Sequence, residues 1–261
     1  HLFFTMKKVD GRDLRKILQD LAQEVPEVVE AFPLPRLLDI LIQVCQTMAF
    51  AHDLGVIHRD LKPANIIIGK FGEVYVLDWG LAKVTGTASI IDKDVQPEPE
   101  KKDLQLTPVG RHYGTPMYMS PEIAQGDESV DARSDVFSLG IILYEMLTLK
   151  SFVEGEDIIE IKQKLLEETY PLPRERASQM FIPKDLEAVC LKALKKRRHK
   201  RYQSVTDLLS DLQKYRHGEE VSVYWYSGWE KLARWNHQKA YWLVAGLAGL
   251  TGAAIHALFG G

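Results

Sequence analysis

Cysteine is nearly missing from these 261 residues. Only two are present, Cys45 and Cys190, at no metal-ligand spacing and too few for a disulfide framework. Both sit among apolar neighbours, where a free thiol behaves as a small core residue, and a reducing compartment is the default. A dominant charge is missing too. The 33 Lys and Arg against 36 Asp and Glu leave a formal net charge of −3, which gives no drive toward nucleic acid or a strongly acidic partner. No internal repeat is visible, which sets solenoids aside. No basic stretch followed by an apolar run and a cleavage site opens the chain, so its start does not read as a signal peptide. What remains is 46% apolar and 26% charged, the composition of a globular protein with a core.

The chain begins in a strand-like run, Leu2 to Val9, which Asp10-Gly11 is expected to break; this reads as a start inside a domain. Leu37, Leu41, Val44, Met48 and Ala51 recur at helical spacing and predict a long helix over 34–54, ended by Gly55. Ile66-Ile67-Ile68 and Val74 to Leu77 read as two short strands around a Gly69-Lys70-Phe71-Gly72 turn. Thr85 to Thr107, with Pro97 and Pro99, reads as a long loop. Val136 to Leu149 is apolar on most sides, as in a buried helix. Further helices are predicted at Ile158–Leu166, Leu186–Leu194 and Val205–Tyr215, with Asp185 and Ser204 at helix starts.

The tail differs in kind. Residues 240–259, AYWLVAGLAGLTGAAIHALF, contain no Asp, Glu, Lys or Arg. As a helix rising about 1.5 Å per residue they would reach about 30 Å, the thickness of a bilayer's hydrocarbon core. Trp235, Tyr241 and Trp242 are placed as interfacial aromatics, and Lys231, Arg234 and Lys239 precede them. A single membrane-spanning helix is expected, with the preceding domain facing the cytoplasm; a buried Ala/Gly-rich helix is the alternative. Ala245, Gly249 and Ala253 form a small-residue stripe that hints at a homodimer.

The chemistry sits in the middle of the chain. His58-Arg59-Asp60-Leu61-Lys62-Pro63-Ala64-Asn65 is followed by Asp78-Trp79-Gly80, then by GTPMYMSPE at 114–122 and SDVFSLG at 134–140. This ordered set resembles the protein kinase family, and in particular bacterial membrane-anchored serine/threonine kinases. The resemblance covers about residues 1–217. It implies a mainly helical fold with short β hairpins: the last N-lobe strand and hinge at 1–10, a kinase C-lobe at 11–217, a juxtamembrane connector at 218–239, then the span at 240–259.

By that resemblance ATP is the phosphoryl donor and Ser or Thr of a protein the acceptor. Asp60 accepts the hydroxyl proton, and Lys62 offsets charge on the γ-phosphate. Asn65 and Asp78 hold Mg²⁺, with Mn²⁺ as the alternative. Thr115 bonds toward Asp60 and Lys62, a mark of the serine/threonine class. Lys7 to Val9 form the hinge backbone that meets adenine, with Met6 at the gatekeeper position. His58 and Trp79 pack rather than react. Glu122 pairs with Arg201, and Asp135 braces the catalytic loop. Arg59 receives a phosphate from the activation segment, with Thr107 the first candidate site and Thr85, Thr87 and Ser89 weaker ones. The basic run from Lys195 reads as a solvated connector supplying Arg201, with no nucleic-acid role.

The phosphate clamp of the family's front half is missing from the pattern. A Gly-rich loop, a strand lysine and its pairing glutamate cannot be placed here. The expectation is a fragment, weakly active or inactive alone. Two rival readings remain: a non-catalytic kinase-like binding module, and a kinase-fold small-molecule phosphotransferase, which the GTPMYMSPE segment disfavours.

Overall fold

The computed structural model describes residues 9–84, 116–127, 129–167 and 170–231. Chain order is β1 (Gly11–Asp13), α1 (Leu14–Ala22), α2 (Pro26–Ala31), α3 (Leu34–Asp53), β2 (Val56–Ile57), β3 (Ile66–Gly69), β4 (Val74–Val76) and β5 (Lys83–Val84). After these come α4 (Pro121–Ala124), α5 (Arg133–Thr148), α6 (Ile158–Leu165), α7 (Pro173–Arg176), α8 (Lys184–Ala193) and α9 (Val205–Arg216). Two small antiparallel sheets, β1-β3-β4 and β2-β5, lie among these helices. The mainly helical class with short hairpins is therefore the observed one.

α5 is the centre. Every residue from Ser134 to Thr148 is buried, which is why its sequence is apolar around the whole circumference. α3, α8 and α9 pack against it. Where α8 approaches, a Cβ on Gly140 would stand 2.9 Å from the Ala193 Cβ, so only glycine permits the contact. α3 is the one described helix long and apolar enough to cross a membrane. One face of it, with Leu37, Leu41, Val44, Met48 and Ala51, is buried while Phe50 is exposed; the helix packs against α5, α9, β2 and β4, and Arg216 of α9 clamps its Asp39 at 2.7 and 2.9 Å. It is a core helix.

Three local readings meet the structure directly. Ser204 caps α9 in a reciprocal capping box with Asp207. Gly55 and Gly72 adopt φ of +72° and +88°, ending α3 and turning the β3–β4 hairpin. The strand expected at Leu2–Val9 lies outside the described residues except for Val9, which like Asp10 is in no strand. Gly11 begins β1 and pairs with Gly69; a Cβ there would meet the Ile68 carbonyl oxygen at 2.4 Å, so the glycine serves close strand approach.

After α9 the chain folds back onto the lobe. Asp211, 1% exposed, accepts from the Tyr202 hydroxyl at 2.7 Å and from the Ser222 amide and hydroxyl at 2.8 and 2.7 Å. Tyr226 is buried and donates to Asp185 at 3.1 Å. Residues 218–231 are thus attached to the lobe. The apolar run 240–259 and its small-residue stripe lie outside the described residues, as do Lys7, Thr107 and Thr115.

Candidate active site

The loop between β2 and β3 is held from below by one carboxylate. Asp135, in the first turn of α5, is fully buried and accepts from the His58 and Arg59 amides, both at 2.9 Å, and from His52 Nε2 at 2.8 Å. These bonds pin Arg59 at φ +69°, a backbone state that costs a non-glycine residue about 1–3 kcal/mol and needs support from its surroundings. Asp78 is the second such residue here, at φ +64°. Both left-handed residues fall inside the two signature motifs.

His58 ties those motifs together. Its Nε2 lies 3.0 Å from the Leu77 carbonyl oxygen, so that nitrogen carries the proton and donates. Nδ1 then accepts the Asp60 amide at 3.3 Å. Its ring packs on Trp79, centroids 4.6 Å apart, and the indole donates to the Val76 carbonyl at 3.0 Å. The Leu77 amide donates to the Asn65 carbonyl at 2.8 Å. One imidazole and one backbone bond therefore tie Leu77, the residue before Asp78, to the loop that carries Asp60 and Asn65.

Asp60 is 6% exposed. Lys62 Nζ lies 2.6 Å from its Oδ2, and Asn65 Nδ2 donates to its carbonyl at 2.9 Å and to Oδ2 at 3.4 Å. A buried carboxylate, an ammonium and a carboxamide thus converge. The described bonds of the Asn65 side chain run through nitrogen, which leaves its oxygen as a donor to a hard cation. Asp78 is exposed. Two oxygen donors suit Mg²⁺, which takes few protein ligands and completes its shell with phosphates and water. Among the described residues there is no cluster of three or more His, Cys, Asp or Glu able to hold a metal by themselves. Of the residues expected to form the hinge, Lys7 to Val9, only Val9 is described, and it is half-buried.

Further from the loop, Glu122 and Arg201 form a buried two-pronged pair at 2.6 and 2.7 Å. Arg201 also donates to the carbonyls of Lys195, Arg133 and Lys196 at 2.6, 2.9 and 2.8 Å and lies over the Phe137 ring.

One feature escaped the sequence reading. The Tyr118 hydroxyl meets both carboxylate oxygens of Glu145, at 3.2 and 2.9 Å, under the one-turn helix Pro116–Tyr118. Burial pushes the Glu145 carboxyl up to about 7, against the opposing pull of Tyr118 and Arg15. Burial, then Glu145 itself, raises the Tyr118 hydroxyl. A cavity of about 290 Å³ opens beside them, lined by Arg15, Leu18, Met117 and Lys150 among others.

A family model for the protein kinase domain matches residues 1–214. The chain belongs to the protein kinase family. It is 37% identical over 227 residues to serine/threonine-protein kinase PknD of Protochlamydia amoebophila, covering 83% of this chain and 22% of that protein. It is 36% identical over 225 residues to serine/threonine-protein kinase PknB of Mycobacterium tuberculosis, covering 83% and 31%. The PknD of Chlamydia pneumoniae is similar at 35% over 225 residues, covering 83% and 23%. The chain spans about a fifth to a third of the length of these relatives.

Proposed function

We propose that this chain carries the phosphoryl-transfer half of a serine/threonine protein kinase. The convergence of Asp60, Lys62 and Asn65 on a loop braced by Asp135 and His58 carries the reading. Asp60 takes the proton of a substrate hydroxyl as that oxygen bonds to the γ-phosphorus of ATP; the bond to the bridging oxygen breaks and ADP leaves. Lys62, 2.6 Å from Asp60, places a positive charge beside the transfer. Mg²⁺, or Mn²⁺ in its place, supplies charge neutralisation on the phosphates when bound, and Asn65 and Asp78 would hold it. Thr115 and Lys62, together with the printed names of the relatives, favour Ser or Thr as acceptor.

In protein that contains these residues and transfers phosphate, Asp60→Ala should lower transfer from labelled ATP to a protein substrate by about 10²–10⁴-fold. Undiminished transfer by that variant, or transfer to small-molecule alcohols in preference to protein, sinks the reading. No Gly-rich loop, strand lysine or pairing glutamate can be placed in these 261 residues. The polypeptide by itself is accordingly proposed to transfer phosphate weakly or not at all.

Thr107 is the proposed regulatory phosphorylation site, with Arg59 as the receiving cation. Phosphate adds about two negative charges and strong acceptors that order a segment against arginine. Mass spectrometry of active protein should find phosphate at Thr107, and Thr107→Ala should reduce activity. Residues 240–259 are proposed as a single membrane span with the kinase lobe in the cytoplasm, supported by their lack of charge and by Lys231, Arg234 and Lys239 ahead of them.

A further inference from the structure

The chain has five tryptophans, and they are unevenly placed. Trp79 is in the site; Trp225, Trp229, Trp235 and Trp242 crowd into the stretch leading to the apolar run. The structure describes the first two of that group, and both are in water: Trp225 is 93% exposed and Trp229 82%. A third ring, Phe181, is 90% exposed on the rim of a cavity of about 540 Å³ that it shares with Tyr224, Tyr226 and Glu230. Isolated exposed rings are ordinary on a protein surface, but two exposed tryptophans four residues apart, beside tyrosines that share a cavity with a third exposed ring, suit a contact region.

Their outward placement is built in. Tyr226 is buried against Asp185, and the Tyr224 hydroxyl is fixed by Glu230 at 2.9 Å. The two tyrosine rings meet edge to face, 4.8 Å apart. Trp225, between them, cannot turn inward without expelling one. Ser227 and Glu230 form a reciprocal cap, with Ser227 N to Glu230 Oε2 at 2.7 Å and Glu230 N to Ser227 Oγ at 3.4 Å, which orders the backbone that carries Trp229.

We propose that the surface around residues 224–229, with exposed Trp225 and Trp229 and with Phe181 on the cavity that Tyr224 and Tyr226 also line, rests in the headgroup layer of a lipid bilayer. The inference rests on the reading of 240–259 as a membrane span and deepens it, by naming the side of the lobe that meets the membrane. Tether length supports it: the eleven residues from Trp229 to Ala240 reach about 16 Å if helical and at most about 40 Å if extended. Tryptophan prefers this layer because its ring is apolar and its N–H is polar. The neighbouring charges are of both signs: Lys231 pairs with Glu220 at 3.0 Å, and Arg174, Lys184, Asp185 and Glu230 line the cavity. Ring insertion is the attraction, and high salt should leave it in place.

Cys45 and Cys190 are buried, so a fluorophore can be placed on single new cysteines in the full chain. Phe181→Cys and Trp225→Cys probe the face, Ala248→Cys the apolar run, and Phe71→Cys, at a hairpin tip 96% exposed, serves as the water reference. The labelled chains are put into phosphatidylcholine/phosphatidylglycerol vesicles carrying a nitroxide lipid. Labels at 181 and 225 should be quenched about twofold or more relative to 71, in low and high salt. Quenching at 248 with none at 181 and 225 overturns the proposal and leaves the span standing. No quenching at 248 removes the span and the proposal with it. Labels at 181 and 225 shielded equally in detergent, with the chain sedimenting as a dimer, assign the face to a second copy and overturn the lipid assignment.

Discussion

Asp135 and Glu122 are both buried carboxylates, but they hold different things. Glu122 meets a permanently charged guanidinium whose remaining donors are spent on three carbonyls; the result ties the chain at 195–201 to the base of the lobe. Asp135 meets two backbone amides and an imidazole, and what it ties down is a loop in an unfavourable backbone state. The first arrangement stores stability. The second spends some to place Asp60. The difference shows that burial and multiple bonds do not by themselves mark a functional acid; what the bonds constrain does.

The largest effect should come from Glu122→Ala, which strands Arg201 and should cost about 3–5 kcal/mol in denaturant unfolding. Replacing both partners with apolar residues of similar volume should restore part of that loss. Asp135→Asn keeps one acceptor oxygen but turns a donor toward the loop amides. It should cost about 2–3 kcal/mol and, in protein that transfers phosphate, also lower transfer per folded molecule while Glu122→Ala does not. Equal losses of turnover per folded molecule in the two variants would erase the distinction drawn here.

Glu145→Gln sharpens it from a third side. The folded carboxyl titrates near 7 because burial disfavours its charge, so the folded state binds a proton that the unfolded chain releases at lower pH. Stability of the parent should therefore fall as pH rises from about 4.5 to about 7, by about 2 kcal/mol, and then level off. The glutamine variant still accepts from Tyr118 and should lack this slope. Unfolding free energies across pH 5 to 8 that run parallel for the two proteins would refute the assignment.

The contrast also marks what a sequence can disclose. Asp60, Lys62, Asn65 and Asp78 stand within twenty residues, in a fixed order that announces itself, and the helices around them follow from apolar spacing. The bond from His52 to Asp135 and the pair Tyr118–Glu145 join residues 83 and 27 positions apart with no periodic signature between them. Gly11 is ambiguous in the sequence because glycine serves both a turn and a tight strand approach, and only its pairing with Gly69 discloses the second role. The return of residues 218–231 to the lobe was hidden for a similar reason: its anchors, Asp211 and Asp185, look in the sequence like ordinary polar positions on two helices.

Gly140 carries a consequence of another sort. It lies mid-helix in α5, and the neighbouring Ala193 leaves no room for even one methyl group. In a survey of every substitution along the chain, position 140 should be as intolerant as Asp60, alanine included. Abundance measurements would separate them: variants at 140 should vanish from the cell, whereas variants at 60 should accumulate as inert protein.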